Sequence, residues 1–328
     1  MKLKKLLAVC LAFSAFSLFA AGAEDNPLTF SISVDMAYYP KSAHLPSAEG
    51  GSHFSPISGA YSGLEGRVTG FANYRLNTPL GENFLLSDAN VVFTGSFELT
   101  PVSLKPGASV TFTPLPFIVL KAGAEAGTGW DLGKLFVGGM AKYNFESDDY
   151  TSLTTFAHWL LKAYAEATFQ FDTGAIIPGD WSHVVMLYTY QAYYQTLTGV
   201  PNGEIWKWQL TGGRANGWQQ YMCGVLAYQM PLVLKRVGLM FESEGFYSPT
   251  AYNQARYSGY DGDFKVISLS PLLQFEFNEH NSLAVLFGFQ CRRAYESYPE
   301  GTECEQRLVS RGSEWFFNRL AFSYSYNF

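Results

Sequence analysis

The chain has 328 residues, of which 48% are hydrophobic and 17% aromatic but only 15% charged, against about a quarter charged in an ordinary soluble domain. Acids outnumber bases, 28 to 22, for a formal charge of -6 with no basic block, which excludes a nucleic-acid partner. The four cysteines and five histidines show no metal-ligand spacing and no glycine-rich phosphate loop appears, so no cofactor is expected.

Residues 1–23 carry Lys2, Lys4 and Lys5, then an apolar run from Leu6 to Ala20, then Ala21-Gly22-Ala23. These are the parts of a secretory signal peptide cleaved after Ala23. Losing its three lysines takes the formal charge from -6 to -9 (-6 minus 3). Residues 24–328 contain no linker, charge block or low-complexity stretch and read as one domain. No later segment reaches the roughly 18 uninterrupted apolar residues of a spanning helix. A chain of this kind enters a membrane as strands.

Period-two alternation is the dominant pattern. In 28–39, Leu28, Phe30, Ile32, Val34, Met36 and Tyr38 share one face and Ser31, Ser33 and Asp35 the other. The pattern repeats at 64–76, 89–100, 102–113, 117–127, 134–145, 154–172, 183–194, 205–213, 218–230, 237–247, 264–277, 283–295 and 315–328. That makes fourteen segments, mostly long enough for the 9 to 11 tilted residues that cross a bilayer. Two of them, 134–145 and 205–213, could belong to long loops instead, leaving twelve strands with the same orientation. Trp206, Trp208 and Leu210 alternating with Lys207, Gln209 and Thr211 favour fourteen. Pro106 and Pro271 each remove a ladder hydrogen bond and predict a bulge or bend.

The fold class expected is all-β, a transmembrane antiparallel up-and-down barrel. If the last strand ends on the periplasmic side, the tight connections 114–116, 231–235 and 278–281 fall there too. The long connections 40–63, 248–263 and 296–314 then face outside, as such barrels require.

Parity assigns the inward face. Its acids are Asp35, Glu65, Glu98, Glu125, Glu166, Asp172, Glu242, Glu244 and Glu276, and its bases Arg67, Arg75, Lys105, Lys121, Lys162, Arg292 and Arg319. Charges of both signs hidden from lipid must meet water or each other. Fourteen strands lean toward an aqueous pore. A passive channel for small hydrophilic solutes is therefore the leading expectation, with the outward faces against outer-membrane lipid. The alternative is a surface-exposed adhesin or structural barrel acting through external loops with a closed lumen, for which Tyr252, Tyr257 and Tyr260 are the binding candidates. An enzyme is not expected, since His44, His53, His158, His183 and His280 are scattered and none sits two residues from a serine on a lipid-facing strand. Cys291 and Cys304 flank an external loop and predict a disulfide.

The final strand alternates Leu320, Phe322, Tyr324, Tyr326 and a terminal Phe328 with small and polar residues. This resembles the closing strand of porin-like bacterial outer-membrane β-barrels, in which a C-terminal Phe after alternating aromatics is an assembly signal. The resemblance implies export to the bacterial outer membrane and insertion by the barrel-assembly machinery. Long-chain fatty-acid transporters of fourteen strands are similar in size, but they carry an N-terminal plug, and only Glu24 to Pro27 precede the first strand here. Pro114-Leu115-Pro116-Phe117 followed by Gly127-Thr128-Gly129-Trp130 resembles uncharacterised outer-membrane proteins of spirochaetes and implies no site residues.

Overall fold

The computed structural model describes residues 26–83, 85–132, 139–209, 211–300 and 304–328; the expected signal peptide lies outside them. Seventeen strands are present among the described residues: β1 (Leu28–Ser42), β2 (Ser52–Ser55), β3 (Ile57–Asn77), β4 (Asn90–Thr100), β5 (Ser103–Leu115), β6 (Ile118–Gly129), β7 (Met140–Asn144), β8 (Asp149–Ser152), β9 (Leu160–Asp172), β10 (His183–Leu197), β11 (Trp206–Trp208), β12 (Thr211–Arg214), β13 (Gly217–Gln229), β14 (Leu234–Phe246), β15 (Val266–Glu276), β16 (Asn281–Tyr295) and β17 (Ser310–Asn327).

Twelve of them, β1, β3–β6, β9, β10 and β13–β17, pair in sequence as an antiparallel sheet. The sheet closes on itself because β1 also pairs with β17, from Ser31 opposite Asn327 to Tyr38 opposite Leu320. Closure leaves no edge, so the backbone polar groups of the wall are satisfied within it. The short β2 adds to β17 in parallel.

The count is twelve, the alternative in which 134–145 and 205–213 leave the wall, and not the favoured fourteen. Segment 205–213 breaks into β11 and β12, with Gln209 at a left-handed φ of 53° and Gly213 at 68°. Of segment 134–145, residues 140–144 form β7 and 133–138 lie outside the described residues. These pieces join β8 in a separate sheet, ordered β12-β11-β7-β8. Alternation reports a two-sided strand and does not say which sheet it joins.

The start of β1, the end of β17 and the connections 116–117, 230–233 and 277–280 share one end of the barrel. Connections 78–89 and 173–182 at that end are longer than expected. The opposite end carries 43–56, 130–159, 198–216, 247–265 and 296–309, and one tight turn at 101–102. By the loop-length asymmetry of such barrels, that end is external.

Large apolar side chains stay exposed on every face pointing away from the axis, among them Phe30, Met36, Phe93, Phe97, Phe169, Tyr188, Leu226, Leu239 and Phe322. So continuous an apolar band is stable only against lipid. Pro106 and Pro271 do not make bulges. They stand opposite Phe97 and Leu239 in unbroken register, and on their other side the ladder skips residues without a shift. The real bulges lie elsewhere. One between Gly288 and Phe289 on β16, opposite Arg319 and Phe317, reverses the parity of β17.

Candidate functional site

The inner wall is divided. On β1 and β3–β6 the expected charges line up across neighbouring strands. Arg67 Nε donates to Asp35 Oδ2 at 2.6 Å, and its Nη1 lies 3.5 Å from Glu98 Oε2. Lys105 Nζ continues the line, 3.5 Å from Glu98 and 3.0 Å from Glu125. The result is a five-strand ladder, Asp35–Arg67–Glu98–Lys105–Glu125, that alternates in sign. Register produces it, since Asp35 is directly opposite Arg67 and Glu98 opposite Lys105. Lys162 extends the charged wall, its Nζ lying 4.3 Å from the Tyr193 ring centre and 5.4 Å from that of Tyr164; Lys121 is 5.8 Å from the latter.

The other half of the wall is packed. Leu187, Tyr193, Tyr221, Cys223, Val225, Met240, Leu272 and Leu286 form one buried cluster on β10 and β13–β16. Leu272 and Leu286 are only 1% and 2% exposed, so no water column runs beside them. Burying such side chains contributes roughly 2 kcal/mol each over leaving them wet. The expected acids here are held by hydroxyls and amides. Tyr221 Oη donates to Glu242 at 2.6 Å, Tyr193 Oη to Glu244, Gln191 Nε2 to Glu166 at 2.7 Å, and Tyr39 Oη to Glu65 at 2.7 Å. Arg319 is buried beside this group. Glu276 sits toward the periplasmic end between Lys235 (3.6 Å) and Arg236 (3.4 Å). Asp172 meets His183 at 2.8 Å, and Arg75 is exposed.

Two inner residues escaped the parity reading. Arg236 donates to Gln229 (2.8 Å) and Gln274 (3.0 Å); extending β14 one residue below Val237 would have found it. Glu314 is fully buried and accepts from Arg292 Nη2 (2.6 Å), Leu45 N (2.9 Å), Ser55 Oγ (2.9 Å) and Tyr298 Oη (3.0 Å). Arg292 therefore serves to tie 43–56 to the wall. The β17 bulge hid Glu314, because alternation counted back from Phe328 puts it on the wrong face.

The external loops converge over the mouth. Met140, Trp206 and Trp208 pack against Leu160 and Leu197, which point inward at the top of β9 and β10. Gln209 Nε2 donates to Ser103 Oγ on the inner face of β5 at 2.9 Å. Above them Tyr143, Ile205, Phe246, Tyr252, Tyr257, Tyr260 and Cys304 form a second cluster drawn from four loops. Tyr252, Tyr257 and Tyr260 are each 3–4% exposed, so they are not surface-binding residues but the core of this cap. Burial and then the Glu204 charge push the Tyr257 hydroxyl up to about 12, and burial raises Tyr143 and Tyr252 further.

The expected disulfide is absent: Cys291 and Cys304 are both buried thiols, as is Cys223. Cys291 belongs to the β16 ladder, opposite Ile267 and Trp315, whereas Cys304 packs inside the tyrosine cap. Their nearness in sequence does not bring them together.

A closed antiparallel barrel, apolar outside and ionic inside, defines a transmembrane β-barrel. The chain folds as a closed, twelve-stranded antiparallel barrel of the transmembrane type. No family model matches the sequence and no curated protein does. Among solved structures it is similar to the KdgM porin (9% identity, TM-score 0.36, covering 91% of this chain and 99% of that one). It is also similar to the outer membrane channel DcaP of Acinetobacter baumannii (10%, 0.37, 92% and 96%) and to an outer membrane channel of Pseudomonas putida F1 (10%, 0.42, 94% and 98%). At these identities and TM-scores the likeness assigns no role to this chain.

Proposed function

We propose that the protein is a narrow, capped channel of the bacterial outer membrane that passes small hydrophilic solutes along the charged half of its inner wall. The observation that carries this reading is the alternating ladder from Asp35 to Glu125. Its side chains keep 9–19% exposure, while the facing cluster is nearly all below that. Mixed charges of this kind hold water and give modest selectivity. A barrel of twelve strands lies between the filled eight-stranded kind and the open porins, and the packed half narrows it further. Insertion would follow from the C-terminal strand, where Leu320, Phe322 and Tyr324 pair along β1 and the exposed Phe328 donates its N–H to Phe30 O at 3.0 Å.

Planar-bilayer recording tests the reading. The intact protein should show small conductance steps, and removal of residues 205–214 should enlarge them. Silence from both would leave the second reading, a closed barrel that works through its external face. The seating of four loops in one buried cap favours that reading.

A further inference from the structure

A cavity of about 770 Å³ opens on the external cap, outside the barrel lumen, where three loops meet. Phe145 from 130–159, Arg256 and Ser258 from 247–265, and Gln306 and Arg307 from 296–309 line it. The volume is that of a small-ligand site. Both guanidiniums lean on the same ring, with Arg307 Cζ 4.9 Å and Arg256 Cζ 5.8 Å from the Phe145 centre. Each also has one carboxylate: Arg256 Nη1 donates to Glu204 Oε1 at 2.7 Å, and Arg307 Nε is 3.7 Å from Asp148.

These contacts orient the two cations without using them up. A guanidinium carries five N–H donors in a planar fork suited to carboxylate or phosphate, and both remain more than a third exposed. A second feature asks for a different group. Gln306 is 6% exposed, its Nε2 donates to Tyr150 Oη at 3.1 Å, and its Oε1 is buried with no hydrogen-bond partner. A buried, unsatisfied acceptor is costly unless something donates to it. The Ser258 hydroxyl in the same wall can donate or accept, and Glu146 on the rim accepts.

We infer that this pocket binds a small hydroxylated anion, a sugar carrying a carboxylate or a phosphate. The anion takes the exposed edges of Arg256 and Arg307, and ring hydroxyls donate to Glu146 and, as the Gln306 amide turns out toward the cavity, to its Oε1. The arrangement discriminates by parts. A neutral sugar leaves the exposed edges of the two arginines without an anion, and a bare anion leaves the Gln306 oxygen unpaired. The inference goes beyond the channel reading, because a solute held on the external cap needs no open lumen.

Calorimetry on the purified full barrel in detergent, with glucuronate, glucose 6-phosphate, glucose and inorganic phosphate as probes, decides it. At least one of the two acids should bind about tenfold or more tightly than both glucose and phosphate, the loss expected when a charge-assisted contact is missing. Which acid binds distinguishes carboxylate from phosphate. Arg256→Gln with Arg307→Gln should abolish the preference while heat-dependent gel mobility shows the barrel still folded. Glucose binding as tightly as the acids, phosphate binding as tightly as glucose 6-phosphate, or no saturable binding of either acid to the unaltered protein overturns the assignment. If the double variant does not fold, the four-probe comparison on the unaltered chain still decides.

Discussion

The edge of the Trp208 indole occupies the space that a β-carbon on Gly127 would need, with Cη2 only 2.8 Å from that position. Gly127 is near the external end of β6 and Trp208 is on β11, so one glycine on the wall makes room for an indole of the cap. Gly127→Leu should push Trp208 out of the mouth, since the ring cannot share the site. We expect a red-shifted, more readily quenched tryptophan emission together with larger conductance. Unchanged emission in a folded variant would mean that the hairpin does not rest on this glycine.

Arg67 stands between Asp35 and Glu98, with only 12% of its side chain exposed. Arg67→Gln leaves two mostly buried carboxylates facing each other and should destabilise the barrel by on the order of 3 kcal/mol. Urea unfolding followed by gel mobility measures this. Adding Asp35→Asn and Glu98→Gln should recover most of the loss, because neutral amides remove the unpaired charge. A single variant as stable as the parent would show that the ladder is wet enough to screen itself.

The three thiols predict a simple mass result. Unfolding without reductant should let a maleimide label Cys223, Cys291 and Cys304, whereas the folded protein should label slowly because all three are buried. Intact mass falling two thiol hydrogens short, with Cys291 and Cys304 unlabelled, would restore the disulfide.

Alkali should loosen the cap before the barrel. Tyr257 is held at about 12, by burial first and the Glu204 charge second, against roughly 10 in an unfolded chain. A group whose folded value is raised contributes stability that is complete below pH about 10 and is lost as the pH climbs through about 12. Phenolate absorbance should therefore show a late-titrating class of tyrosines. Protease cleavage within 247–265 should rise over the same interval while the heat-resistant barrel mobility persists. Titration of every tyrosine near its ordinary value would contradict a buried cap.

Strand identity was legible because it is local. Val34 and Asp35 point to opposite sides whatever lies around them, and Asp35, Arg67, Glu98, Lys105 and Glu125 meet along one wall. Strand membership was not local. Trp206 and Trp208 alternate as well as any wall strand, yet their neighbours are β7 and β12.

Two-residue periodicity, strand length and loop length are properties of consecutive residues, and for that reason the barrel and its two faces are written along the chain. Long-range packing sets the rest: twelve strands, a bulge that turns Glu314 inward, tyrosines that pack into a cap, and thiols that stay apart. Each depends on which distant segments compete for the same space, and packing between loops leaves no period in the chain.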